Sequence, residues 1–190
     1  MVSDQLGGKL VKIFAYCCAS FAESTRRATG IAPFTCPELT AADISPRMLQ
    51  GYDVLYFDLH GQPGAAWWYG DDDLVALTEA QILDADLGGA VVFAVNCHLA
   101  DDDSPMLDAL LNAGARYVIG GPGLNFAGKR TIYGAAALGK SFIIALEHGK
   151  HPLKALAIAK RSLSIWSMAQ AAPKKKAARD ALQFKAFYRK

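Results

Sequence analysis

Reactive side chains gather at two points of the chain, in His60-Gly61 and in Asn96-Cys97-His98. A cysteine and a histidine that meet in space are the minimal set for nucleophilic catalysis. The thiolate attacks a carbonyl carbon, and the imidazole handles the proton of the thiol or of the leaving amine. Gly61 has no Cβ, so its backbone admits a close-lying carbonyl. Its N–H, with that of Cys97, would serve as an oxyanion donor. His98 adjoins the cysteine, but neighbouring side chains diverge, which makes His60 the expected partner. Taken alone, a cysteine at a strand end is most often a small buried hydrophobe. Its pairing with His60-Gly61 lifts Cys97 above that reading.

Both points must be positioned by strands. Residues 10–16, 54–57, 90–95 and 116–120 are β-rich apolar runs, and the third is apolar throughout, as in a parallel strand covered on both faces. Helical patterns lie between them. Thr78 opens one with Glu79 in its first turn, and Ser104-Pro105 opens another that ends at Gly114. Longer helices are expected over residues 131–148 and 152–171. This alternation predicts an α/β domain with a mostly parallel sheet, and in such sheets function gathers outside the carboxyl ends of the strands. His60 and Cys97 follow two of those ends.

The 190 residues are 52% apolar and 20% charged, ordinary for a globular chain with one sizeable core. The net charge of +2 is too small to argue for nucleic acid. Much of the basic excess lies in residues 173–190, through Lys174, Lys175, Lys176, Arg179, Lys185, Arg189 and Lys190. Residues 171–178 are expected to form a surface hinge before a short C-terminal helix. No apolar stretch approaches a membrane span and no leader pattern opens the chain. Cys17 and Cys18 are neighbours on an expected strand and point to opposite faces. With Cys36 and Cys97 they read as reduced thiols, and the expected compartment is the cytoplasm.

In their order, the motifs resemble the caspase-like (clan CD) cysteine peptidases and, within them, the CHAT group of caspase and separase relatives. The resemblance is carried by a strand ending in His60-Gly61 and by the helix opening Leu77-Thr78-Glu79-Ala80-Gln81-Ile82. It continues through the run from Gly89 to Asn96-Cys97, then Gly114-Ala115-Arg116-Tyr117-Val118-Ile119-Gly120 and Gly149-Lys150-His151-Pro152. It covers residues 50–163. It implies a three-layer α/β sandwich over residues 1–172, with residues 173–190 as a basic tail or helix. It further implies a cysteine endopeptidase in which Cys97 is the nucleophile and His60 the acid or base. Such an enzyme needs no metal or organic cofactor, takes a protein or peptide substrate and allows a regulatory protein partner. Two departures stand out. Leu99 occupies the position two after Cys97 where the family usually has Gly, and Val95 occupies one that is acidic in some relatives that cut after basic residues. Asp58, Asp101, Asp102 or Asp103 could take the acidic role, Asp58 and Asp101 foremost, with Gly121 at the cleft edge.

Other features have blander readings. Asp71-Asp72-Asp73 and Asp101-Asp102-Asp103 suggest a hard cation, but consecutive carboxylates cannot all face one ion, so both runs read as solvated loops. Gly120-Gly121-Pro122-Gly123 lacks the Gly-Lys-Ser/Thr ending of a phosphate cradle. Trp67 and Trp68 either wall the pocket or cover the sheet. Two rival functions remain: a caspase-like module that binds a peptide or partner without cutting it, and a flavodoxin-like binder of a small anion or nucleotide.

Overall fold

The computed structural model describes residues 11–189. Its central sheet has six strands: β1 (Ile13–Cys18), β2 (Phe34–Cys36), β3 (Val54–Asp58), β6 (Val91–Ala94), β7 (Tyr117–Gly120) and β8 (Lys185–Phe187). Their spatial order is β2-β1-β3-β6-β7-β8. The first five run parallel, and β8 closes the edge antiparallel to β7. A separate antiparallel hairpin, β4 (Trp67–Tyr69) and β5 (Val75–Thr78), is inserted after β3. The helices are α1 (Ala22–Thr29), α2 (Glu79–Leu83), α3 (Pro105–Asn112), α4 (Gly134–Glu147), α5 (Pro152–Met168) and α6 (Ala172–Ala181).

The central strands β3 and β6 are buried at every residue. Side chains alternate between faces along a strand, and each face builds its own core. Phe14, Tyr16, Leu55, Phe57 and Val92 pack with Trp68 and Leu77 of the hairpin, Ile82 of α2, and Met106 and Leu110 of α3. On the other face Tyr56, Phe93 and Ile119 meet Leu138 and Phe142 of α4, Leu163 of α5, and Phe184. Phe93 is the hub there, with ring centroids 5.7 Å from Tyr56, 5.3 Å from Phe142 and 5.7 Å from Phe184. The helix layer lies close because α4 carries Gly139, where a Cβ would come within 2.8 Å of the Tyr56 ring.

The expected helix starts are present. Thr78 and Gln81 form a reciprocal capping box on α2. Ser104 accepts from the Leu107 N–H with Pro105 in the first turn of α3. Three boundaries differ. β1 starts at Ile13 and extends to Cys18, while Leu10 lies outside the described residues. α4 starts only at Gly134, after an extended Tyr133. Residues 172–178, expected as a hinge, belong to the body of α6, which buries Ala177, Ala178 and Ala181 and leaves its lysines outside. Among the described residues, no helix is long and apolar enough to cross a membrane. All four cysteines are free thiols.

Candidate active site

The register of the sheet brings the two reactive points together. Phe57 of β3 pairs with Ala94 of β6, and His60 and Cys97 each lie three residues further on. The two chain extensions stay side by side. The Leu59 N–H donates to the Asn96 side-chain oxygen at 3.0 Å, and Gly61 lies so close to Cys97 that a Cβ there would fall 2.1 Å from the Cys97 carbonyl oxygen. Only glycine fits at position 61. His60 and Cys97 line one cleft of about 240 Å³, with Phe21, Asp58, Asn125 and Phe126 among its walls.

Cys97 is held by backbone. Its Sγ accepts from the Asn125 N–H at 3.3 Å and lies 3.5 Å from the Asn125 carbonyl oxygen, to which the thiol donates. The Asn125 side chain donates to the carbonyls of Asn96 and Gly121. Burial pushes the Cys97 thiol up, the Asn125 N–H pulls it down in part, and the charges of Asp58 and Asp101 push it up further. Cys97 therefore rests as a thiol.

The turn after Cys97 is left-handed at His98, with φ +61°, the conformation that glycine adopts most readily. Three contacts fasten it. The His98 N–H donates to the Gly123 oxygen at 2.7 Å, the Gly123 N–H donates to Asp101 Oδ1 at 2.8 Å, and Asp101 Oδ2 lies 2.7 Å from His98 Nδ1. Partial burial works to raise the Asp101 carboxyl, but the Gly123 N–H and His98 outweigh it and hold it below its usual range. Asp101 thus braces the loop and is not among the cleft-lining residues. Gly121 is buried between Asn125 and Phe184, and its oxygen accepts from the Ala100 N–H.

His60 stands on the exposed side of the cleft. Its backbone exchanges two 2.9 Å hydrogen bonds with Tyr69 of β4, and the Phe21 ring meets the imidazole edge-on at 5.6 Å. Cys18, at the end of β1, and Asp71, in the hairpin turn, offer ligand atoms that lie with one from His60 within 4.8 Å of one another. Asp71 accepts from both the N–H and the hydroxyl of Ser20, at 2.7 and 2.8 Å. Burial, followed by the Asp71 and Asp58 charges, drives the Cys18 thiol up and keeps it protonated. In the acidic run only Asp72 and Asp73 are exposed; Asp71 faces His60 and was hidden from sequence reasoning because a β-hairpin, not a motif, brings it there. Asp58 is enclosed beneath the cleft, where it accepts from the Thr25 hydroxyl at 3.1 Å and burial raises it to about 7. Trp68 covers the sheet and Trp67 is exposed; neither lines the cleft.

No family model and no curated protein sequence matches the chain. Among solved structures, it is similar to a chain from the complex of the pro- and mature domains of RgpB from Porphyromonas gingivalis. The TM-score is 0.56 at 11% identity, over 96% of this chain and 50% of that one. The fold is caspase-like. This chain spans about half the length of the chain it matches. In this caspase-like sheet the cleft opens at the carboxyl ends of β3 and β6. A thiol, an imidazole and a carboxyl converge there on a space the size of one amino-acid side chain. Neither the Gly61 nor the Cys97 N–H donates to another backbone oxygen among the described residues.

Proposed function

We propose that the protein is a cysteine endopeptidase in which Cys97 attacks the scissile carbonyl and His60 moves the proton. The observation that carries this reading is the shared cleft of His60 and Cys97 at neighbouring strand ends. Because the Cys97 thiol is raised, His60 must accept its proton as the substrate arrives and then deliver it to the leaving amine. The Gly61 and Cys97 N–H groups are the oxyanion donors. A cleft of about 240 Å³ is smaller than a typical small-molecule site and suits one long side chain of a peptide. Among the described residues no Lys or Arg lines it, which disfavours the anion or nucleotide alternative. A basic side chain before the cut would meet Asp58 as a full charge only in its ionised form, since burial raises that carboxyl to about 7. The finer assignment to the CHAT group rests on the order of motifs along residues 50–163.

A second reading, a peptide-binding module without turnover, is favoured by one observation: a thiol raised by burial and held by the Asn125 backbone reacts slowly. Labelling by a peptide electrophile ending in Lys or Arg separates the two. The peptidase reading expects fast single-site labelling, abolished by Cys97→Ala and strongly slowed by His60→Ala. Labelling spread evenly over Cys17, Cys18, Cys36 and Cys97 would leave only the binding module.

A further inference from the structure

Cys18, His60 and Asp71 come from three different elements, yet their ligand atoms lie within 4.8 Å of one another. Two of the three are fixed in place. The Asp71 carboxylate is held by Ser20, and Cys18 is fully buried at the end of β1 with its thiol 3.7 Å from the Tyr69 oxygen. The His60 backbone is fixed by its bridge to Tyr69, while its ring is exposed with Phe21 edge-on against it.

We propose that Cys18, His60 and Asp71 bind a zinc-class divalent cation, and that the bound ion withdraws His60 from Cys97. The second clause rests on the peptidase reading; the first does not. One thiolate, one imidazole and one carboxylate are the donor mix of a tetrahedral Zn²⁺ site whose fourth position stays open to water. Calcium and magnesium call for all-oxygen shells of six or more ligands and do not fit. Bond lengths near 2.0–2.3 Å draw tetrahedral ligands to roughly 3.5 Å from one another, a closure of at most about 1.3 Å per pair from the spacing present. Asp71 keeps its Ser20 bonds, since each carboxylate oxygen has a second lone pair.

The proton balance is simple. Zn²⁺ replaces the Cys18 thiol proton, which leaves to solvent as the Zn–S bond forms, with no change of oxidation state. The dication neutralises the new thiolate and the Asp71 carboxylate together, so the charge buried beside β1 is compensated. An imidazole whose lone pair is on the metal cannot accept the Cys97 proton.

The test is zinc titration of the whole chain against a chromophoric chelator, with Co²⁺ spectroscopy, on wild type, Cys97→Ala, Cys18→Ser and Asp71→Asn. Wild type and Cys97→Ala are expected to bind one ion each. Cobalt in Cys97→Ala should show a thiolate charge-transfer band, and Cys18→Ser and Asp71→Asn should bind at least about 100-fold more weakly. Asp71→Asn, on a partly exposed turn, keeps the test independent of any folding defect in Cys18→Ser. No binding at micromolar zinc overturns the proposal, as does binding untouched by Asp71→Asn or lost in Cys97→Ala. Binding is read without substrate, so a protein that holds zinc and stays inert towards peptides after the zinc is chelated removes the peptidase reading and leaves the site.

Discussion

The two strand ends that form the cleft are built in opposite ways. After β6, Cys97 enters a tightly braced turn: Asn125 grips the sulfur through its backbone, and Asp101 locks His98 and Gly123. After β3, His60 leaves the sheet, pairs its backbone with the hairpin and keeps its ring in solvent. The Cys97 thiol is held in place and protonated, whereas the His60 ring is tethered only through its backbone and stands exposed. If the proposed peptidase chemistry holds, activation comes from the histidine side, where Asp71 and Cys18 also lie.

Substitutions at the two ends measure this contrast. The largest difference is expected in turnover: Cys97→Ala removes peptide hydrolysis, while His60→Ala slows it by roughly 10²–10⁴-fold and leaves the thiol alkylatable at high pH. Equal loss of alkylation in both variants would break the contrast. Beneath the cleft, Asp58 gives the next effect. Its folded pKa of about 7 lies above the ordinary 3.8 of an aspartate, so its contribution to stability is full below pH 4, is lost as pH rises toward 7, and is level above that. Thermal melts of Asp58→Asn should gain on wild type across that window, by at most on the order of 4 kcal/mol; parallel curves would refute it.

On the rigid side, Asn125→Ala removes the side-chain bonds to the Asn96 and Gly121 carbonyls. Denaturant melts should show a loss of about 1–2 kcal/mol, with faster Cys97 alkylation as the loop loosens. Unchanged alkylation would mean that the Asn125 backbone alone sets the thiol. The smallest effect belongs to His98→Gly, which relieves a left-handed φ but gives up the Asp101 contact. Its stability should change by no more than about 1 kcal/mol, read in the same melts.

Strands β1, β3, β6 and β7 and the capped helices were legible because apolar runs and end signals mark them locally. The hairpin was not. Trp67–Tyr69 is three residues long and flanked by Gly70, and its register slips at Trp68/Tyr69, too short for a period to show. Asp71 was misread for the same reason, since its role depends on where that hairpin docks. The start of α6 was hidden because its buried face is made of alanines at 177, 178 and 181, and three consecutive lysines precede them. His60 and Cys97 could be read as strand-end residues, but the bracing roles of Asp101 and Asn125 depend on a loop closure that no spacing encodes.

The parallel register also rules the end of the sheet like a scale. β1, β3 and β6 are successive neighbours, at about 4.8 Å per division, and their ends carry a sulfur, a nitrogen ring and a second sulfur in that order. The imidazole occupies the middle mark between a sealed thiol and an open one. Under the two proposals a single ring would serve two claimants, and each turn toward one is a turn away from the other.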